Sequence, residues 1–253
     1  MFKNEVAEFI YKRTYSRWME DEGRREEWPE TIERFINFLV LKNGEKIPEK
    51  TVKKIRQYML EFAVMPSMRF LWSAGPAAEK DNTVIYNCSF AKLNCVEAFA
   101  ECLHILMCGT GFGFSVEEDE VSKLPSIPEI KSGKDIVREV IDDSREGWAD
   151  SVKTLMTSLY DGQNLYFDYS QLRPEGARLS TMGGRSSGPQ PLIKLHDFIR
   201  ETMHNAQGRK LTSLECHDIA NQIAEIVVAG GVRRSSQISL SDLNDEDMRH
   251  AKD

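Results

Sequence analysis

No stretch of these 253 residues approaches the ~18 consecutive apolar residues of a membrane-spanning helix. The start, Met1 to Ile10, carries acidic residues and no apolar core of signal-peptide type, so neither a membrane protein nor an exported one is expected. Cysteine is sparse and odd in number: Cys88, Cys95, Cys102, Cys108 and Cys216 make five. An odd count without an export signal does not suit a secreted disulfide framework. A reducing, cytoplasmic setting is expected, in which a cysteine that matters acts by its reactivity. Excess positive charge is missing too. The formal net charge is -7, which argues against a general nucleic-acid-binding surface, although a few local donors still suffice to hold a phosphate.

Metal-ligand spacing is also lacking. The first four cysteines stand 7, 7 and 6 residues apart, whereas structural zinc pairs are separated by roughly two to four residues. Cys95, Cys102 and Cys108 fall in or beside one predicted helix, where small buried thiols are common core filler. The five histidines show no metal pattern either, and no metal site is expected. The letters G-x-S-x-G occur once, at Gly184-Arg185-Ser186-Ser187-Gly188 inside the Gly/Ser loop and not on a predicted strand-to-helix turn, so nucleophilic hydrolysis is not expected. Internal repeats and low-complexity segments are absent.

What is there suits a globular α/β protein. Hydrophobic residues are 41% and charged residues 29% of the chain. Pro29 and Pro48 stand where first helical turns tolerate proline. Ile32, Phe35, Ile36 and Leu39, then Val52, Ile55, Met59 and Phe62, recur at helical spacing. Met65-Pro66 stops the second helix. Thr83 to Phe90 reads as a strand. Val96 to Cys108 reads as a helix ended by Gly109, and Gly111 to Val116 as a strand whose glycines allow close approach. Glu117 to Lys134 is polar and reads as a loop, Asp135 to Tyr160 as one or two helices, and Leu165, Phe167 and Tyr169 as a strand. Leu192 to Asn205 is helical. Thr212-Ser213-Leu214-Glu215 has capping-box spacing before a further helix, Ser235 to Leu240 reads as a strand, and Asp242 to Asp253 as a solvated charged stretch. Strands alternating with helices imply α/β units around a parallel sheet.

Three segments stand out, each with an ordinary alternative. Gly109 to Phe114 invites a dinucleotide-binding reading, but G-x-G-x-x-G needs glycine where Phe114 stands, and the segment follows a helix instead of opening one. A helix cap running into a strand is the simpler account. Thr181 to Pro189 is a Gly/Ser loop with Arg185 and no Gly-Lys-Ser ending; it is either a ligand-adaptable loop or a plain connection. Asn87-Cys88-Ser89 places a thiol in a predicted strand with polar neighbours, which is either redox-active in a cleft or buried and inert.

Taken in order, these segments resemble the adenosylcobalamin-dependent (class II) ribonucleotide reductases. Tyr11 to Trp18 is similar to that family's amino-terminal signature. Met65-Pro66-Ser67-Met68-Arg69 with Leu71-Trp72 is similar to its first substrate-facing segment, and Asn87-Cys88 to its first redox cysteine. Gly109 to Ser115, Ser144 to Trp148, Arg173 to Ala177, Gly183 to Pro191 and Val228 to Ser235 follow in the family's order. The resemblance implies an amino-terminal helical region over 1–64. The first half of a ten-stranded α/β barrel would then cover 65–253, with an effector loop at about 117–160. It also implies adenosylcobalamin as cofactor, a ribonucleotide substrate, a deoxynucleotide effector and a role in deoxyribonucleotide supply for DNA replication.

In that family cobalamin generates a thiyl radical on a cysteine, and the radical removes the ribose 3′ hydrogen. Two other cysteines supply reducing equivalents and close a disulfide as the 2′ hydroxyl leaves as water. Cys88 is implied as the first of that pair. The radical cysteine, the second reducing cysteine and the later phosphate-binding loop are implied to lie on a second chain carrying the rest of the barrel, without which this chain is inactive. Ser67, Asn87, Cys88, Gly111 and Gly113 are implied to meet substrate. Lys123 and Lys131, in the polar segment 122–133, and the loop Gly183, Gly184, Arg185, Ser186, Ser187 and Gly188 are implied to serve effector binding and specificity. The segment is shorter than in monomeric members, where an insertion mimics a partner subunit, so a homodimer is expected. No amino-terminal cone domain is seen, so on/off control by dATP at one is not expected. The alternatives are a non-catalytic nucleotide-binding regulatory module, which would not need Cys88, or a reductase fragment of another class.

Overall fold

The computed structural model describes residues 2–130, 138–178, 185–229 and 235–252. The chain divides into two compact units, Met1–Asn87 and Cys88–Asp253.

The first unit is helical: α1 (Glu5–Thr14), a short antiparallel pair β1 (Trp18–Met19) and β2 (Arg24–Arg25), α2 (Trp28–Asn43), α3 (Glu49–Leu60), α4 (Met68–Ser73) and α5 (Pro76–Lys80). Two 3-10 turns, Gly44–Lys46 and Asn82–Ile85, join them. The expected apolar stripe of α2 is the buried one, with Ile32, Phe35 and Ile36 at 4% exposure or less. Pro29 occupies the first turn, and the capping box of Glu27 and Glu30 satisfies two orphan amides there. Trp28 stacks on Phe62 at 4.9 Å and meets Tyr11 edge-on.

Beneath the rings, Glu26 is a buried carboxylate, 6% exposed. It accepts from Arg34 Nε at 2.7 Å, from Thr31 Oγ1 at 2.8 Å and from the Arg17 amide at 3.2 Å. Burial opposes its charge, but the Arg34 guanidinium outweighs burial and holds the carboxyl below its usual range. Both arginines continue to α4: Arg34 donates to the carbonyls of Leu71 and Ala74, and Arg17 to that of Trp72. Cations at the end of a helix satisfy its orphan carbonyls. Residues 65–87 thus group with the amino-terminal helices in the compact unit Met1–Asn87.

The second unit is α/β, as expected. Its elements are β3 (Cys88–Lys92), α6 (Val96–Met107), β4 (Gly111–Ser115), α7 (Glu118–Val121), β5 (Arg138–Val140), α8 (Arg145–Tyr160), β6 (Tyr166–Asp168), α9 (Gln190–Asn205), α10 (Ser213–Ala229), β7 (Gln237–Leu240) and α11 (Glu246–Arg249). One sheet has the order β3-β4-β7 and is entirely parallel; β5 and β6 form a second parallel pair. Helix α6 packs on α8 and α10, and α9 packs on both α8 and α10. Phe112 and Phe114 point from β4 into this helical layer, where Leu103, Leu106, Leu155, Ile199 and Ile223 join one core.

Local chemistry explains most boundaries. Gly109, at φ +74°, ends α6, with its amide and that of Thr110 returning to Leu106 and Ile105. The capping box of α10 forms as its spacing predicts: Thr212 N donates to Glu215 Oε2 at 2.9 Å, and Glu215 N to Thr212 Oγ1 at 3.2 Å.

Three expectations are corrected. The predicted strand over 83–90 is a 3-10 turn followed by a strand that starts only at Cys88, because the Asp81 side chain accepts the Thr83 amide and favours a turn. The predicted helix over 135–160 starts at Arg145. Residues 138–140 instead pair with β6, and Ser144 caps the helix by accepting from Gly147 N at 2.9 Å. The predicted loop over 117–134 contains the short helix α7.

Candidate functional site

The register of the three-stranded sheet builds the site. Cys88 pairs with Gly111, Phe90 with Gly113, and Gly113 in turn with Ile238. Paired residues of parallel strands share a face, and successive residues alternate. One face is therefore covered by the helices. The other carries Cys88, Phe90, Gly111, Gly113, Ile238 and Leu240. On this second face Phe90, Ile238 and Leu240 are 55%, 67% and 47% exposed, and the Cys88 thiol is free and exposed. Parallel sheets are normally covered on both faces, so an open apolar face beside an exposed thiol is the feature of this unit that calls for explanation.

The glycines serve this face. A Cβ on Gly113 would stand 3.1 Å from the Phe90 ring and 3.4 Å from the Ser89 carbonyl, so the Phe90 ring lies close over the strand at that point. The Ser89 hydroxyl, on the helix side, donates to the Gly111 carbonyl at 3.0 Å and reinforces the pairing beside Cys88. Of the cysteines, Cys88 and Cys95 are exposed, whereas Cys102, Cys108 and Cys216 are buried. Burial pushes the Cys102 and Cys216 thiols far up, so neither forms a thiolate near neutral pH.

Past the end of β3 the rim becomes charged. Glu120, buried at 6% exposure, accepts from Lys123 at 2.6 Å, Lys92 at 2.5 Å and Asn94 at 2.8 Å. These partners hold its carboxyl at about 2. Lys123, expected near an effector, is thus engaged in this cluster.

In the first unit Ser67 caps α4, its Oγ accepting from Phe70 N at 3.2 Å, and both Ser67 and Asn87 are exposed. The strand register places Cys88, Gly111 and Gly113 on one face of the sheet, whereas Ser67 and Asn87 belong to the first unit. Arg185 to Gly188 is an ordered return segment: Ser186 exchanges backbone hydrogen bonds with Gly176 and Ala177, and the Arg185 guanidinium donates to the Gly176 carbonyl at 2.9 Å. The Gly188 amide donates to Ser186 Oγ at 3.0 Å, while the Ser187 hydroxyl reaches only the Gly188 carbonyl at 3.5 Å. Gly188 sits at φ +71°, with Glu175 N 3.0 Å from where a Cβ would be, so glycine is needed there. Lys131, Gly183 and Gly184 lie outside the described residues. Sequence reading missed Phe90, Ile238 and Leu240, whose two-residue spacing from Cys88 or from one another was the available signal.

Near the start of α8, Arg173 grips Asp143 at 2.7 Å, and a Cβ on Gly147 would fall 2.3 Å from the Asp142 carbonyl oxygen. Two cavities stand out among the described residues. One, of about 310 Å³, lies among Ser122, Lys210, Ser213, Asp242 and Asp245. The other, of about 680 Å³, lies on α2 and α5 beside Phe38, Leu41 and Pro76. Among the described residues, no helix is long and apolar enough to cross a membrane.

Comparison with known proteins gives this geometry a setting. Residues 1–76 match the family model "Ribonucleotide reductase alpha domain", and residues 118–203 match "B12-dependent ribonucleotide reductase, insertion domain". The adenosylcobalamin-dependent ribonucleoside-triphosphate reductase of Lactobacillus gasseri is 30% identical, over 96% of this chain and 42% of its own length. That of Euglena gracilis is 31% identical, over 94% of this chain and 35% of its own length. The Lactobacillus gasseri alignment runs over 312 positions against 253 residues here, so the relative carries residues inside the matched region with no counterpart in this chain. The crystal structure of a B-12 dependent (class II) ribonucleotide reductase superposes with a TM-score of 0.81 at 25% identity, over 95% of this chain and 42% of that one. The chain is therefore similar, along nearly its whole length, to adenosylcobalamin-dependent ribonucleotide reductases, and it spans about two fifths of the length of those it matches.

Proposed function

We propose that this chain supplies one redox cysteine and nucleotide-contacting segments to a ribonucleotide reductase that converts ribonucleoside triphosphates to 2′-deoxyribonucleotides. The observation that carries this reading is the exposed Cys88 thiol on the open face of a parallel sheet, in register with Gly111 and one step from Gly113. The face is the inner wall of a barrel, and a further polypeptide stretch carrying the second reducing cysteine closes over it. Phe90, Ile238 and Leu240 are 55%, 67% and 47% exposed, so covering what remains would contribute about 1–2 kcal/mol for each.

The chemistry assigned to this chain is that of a thiol. Cys88 and a partner thiol together lose two electrons and two protons and form one S–S bond. The ribose 2′ carbon loses its hydroxyl as water and gains hydrogen in its place. The two sulfurs must come within bonding reach, with Cα atoms at roughly 4.4–6.8 Å. Ser67 and Asn87 offer short polar groups to the nucleotide, and Gly111 and Gly113 leave the sheet low enough for a ribose to lie beside the thiol. Lys123 and Lys131, with the 183–188 loop, serve a deoxynucleotide effector. A second copy of the chain completes that effector site, in keeping with the shortened insertion.

Adenosylcobalamin, the cofactor in the relatives' names, supplies the initiating radical when bound. Most of its contacts are assigned outside this chain, and no step here passes through it.

The test is co-expression with the complementary part of a relative, followed by assay of deoxynucleotide formation with adenosylcobalamin. Turnover is expected from the pair and not from this chain alone, and Cys88→Ser should abolish it. Undiminished turnover with Cys88→Ser refutes the redox assignment and leaves a nucleotide-binding role without catalysis.

A further inference from the structure

Cys88 is the first residue of β3. The first residue of a strand has ladder support on one side only, and strand ends open at low cost in free energy. Nothing in the exposure of the preceding residues compensates: Asn87 is exposed, and Tyr86 is 55% exposed. Yet a thiol that must meet a second sulfur within a narrow range of separations cannot sit on a fraying end.

The backbone just ahead of it is tied down from an unexpected direction. Arg69, on α4, is 7% exposed. Its guanidinium Nε–H donates to the carbonyl of Tyr86 at 3.0 Å, across 17 residues of sequence. A buried cation is an expensive anchor, tolerated where its hydrogen bonds are well made. The helix that carries Arg69 is fixed at its far end in the same manner. Arg34 Nη1 donates to the Leu71 and Ala74 carbonyls at 3.0 and 2.8 Å. Arg17 donates to the Trp72 carbonyl from Nε at 3.2 Å and Nη2 at 3.0 Å. Glu26 holds Arg34 through both carboxylate oxygens, at 2.7 and 3.0 Å. The Ser73 hydroxyl closes on the Arg69 carbonyl at 2.8 Å within the helix. A short helix of 6 residues is too short to persist unaided; here three guanidiniums, two at its end and one projecting from it, make it a rigid bracket.

We propose that Arg69 is a positioning residue for Cys88: through the Tyr86 carbonyl it fixes the chain entering β3 to a bracket anchored by Arg17, Arg34 and Glu26. This rests on the reductase reading for its consequence, but not for its physical content. The role assigned to the arginine acts through the Tyr86 carbonyl. Its effect is to narrow the range of positions that the thiol visits, so its loss slows disulfide closure more than it weakens nucleotide binding.

Two measurements on Arg69→Gln and Arg69→Lys test this. The first is amide hydrogen exchange of residues 86–90, together with the rate of Cys88 alkylation by iodoacetamide, in the chain itself. Arg69→Gln should raise both by ~10-fold, the order expected from losing one charge-assisted hydrogen bond, while exchange in α8 and α10 stays unchanged. Arg69→Lys, which keeps a charged donor, should restore part of the protection. The second is kcat and KM of the enzyme reconstituted with its complement. Arg69→Gln should lower kcat by ~10-fold with KM for the nucleotide changed by less than about threefold. Unchanged exchange at 86–90 overturns the proposal, as does loss of protection throughout the chain in both variants, which marks a structural residue only. Raised exchange with unchanged kcat overturns it as well. If the wild-type pair makes no deoxynucleotide, it is the reductase reading that fails, and the tether is then judged on exchange and alkylation alone.

Discussion

Lowering the pH from 7 to 5 should destabilise this protein through one side chain in particular, His196. It lies on α9 at 0% exposure, with both ring nitrogens engaged: Nε2 stands 3.0 Å from Ser151 Oγ and Nδ1 2.8 Å from Tyr169 OH. The Ser151 hydroxyl donates to the Trp148 carbonyl at 2.7 Å. Its oxygen is thus left to accept from Nε2–H, and Nδ1 accepts from the tyrosine. The ring is neutral, with its single proton on Nε2. Burial, reinforced by the Arg200 guanidinium, pushes its pKa down to about 3.

The sign follows from linkage. The unfolded chain binds a proton at an ordinary histidine pKa of about 6.5 and the folded chain does not, so stability is full above about pH 6.5 and falls as the pH drops towards 3. With those two values, the loss between pH 7 and pH 5 is about 2 kcal/mol, the slope approaching about 1.4 kcal/mol per pH unit. His217, also lowered by burial, and carboxylates held below their usual range, such as Glu26 and Glu215, add slopes of the same sign, whereas Asp218, raised by burial, opposes them. The useful quantity is therefore the difference between the wild type and His196→Gln, which cannot take up the proton. Urea unfolding followed by circular dichroism at several pH values between 7 and 5 gives that difference. The variant should be less stable at pH 7 and lose about 2 kcal/mol less than the wild type over the interval. Parallel pH profiles would refute the neutral, buried histidine.

Other positions make separate demands. Gly147→Ala would place a methyl group 2.3 Å from the Asp142 carbonyl oxygen, so thermal melts should show a loss of about 3 kcal/mol, at the upper end of overpacking effects. Thr212→Ala removes one half of the α10 capping box and should cost about 1 kcal/mol in the same assay. Gly113→Val should drive the Phe90 ring off the sheet, given the 3.1 Å approach. In the reconstituted enzyme it should reduce turnover by far more than it reduces stability, and a variant of normal kcat would show that the open face need not be flat.

Much of this was legible where the cause is local. Gly109 stops α6, Thr212 and Glu215 cap α10, and Ile32, Phe35 and Ile36 form the buried stripe of α2, because each depends on residues within one or two turns. Boundaries set by distant partners were not legible. Residues 138–140 become a strand because β6 pairs with them from nearly thirty residues away, and nothing in their own side chains announces it. The candidate site divides in the same way. Cys88 and the glycines of 111 and 113 stood out by type, but their shared register depends on parallel pairing across a helical crossover. The exposed row of Phe90, Ile238 and Leu240 read as ordinary strand residues, since an apolar side chain in a strand is expected to be covered. The arginine bracket around α4 was invisible because its acceptors are backbone carbonyls, which leave no mark in the sequence.

The central claim is that the thiol at 88 reduces substrate jointly with a thiol from outside this chain. Mass-spectrometric disulfide mapping of the reconstituted enzyme, after one turnover without external reductant, tests it most directly. The account predicts a peptide containing Cys88 linked to a cysteine of the complementary part, in proportion to the deoxynucleotide formed. Deoxynucleotide produced while Cys88 stays a free thiol would contradict it.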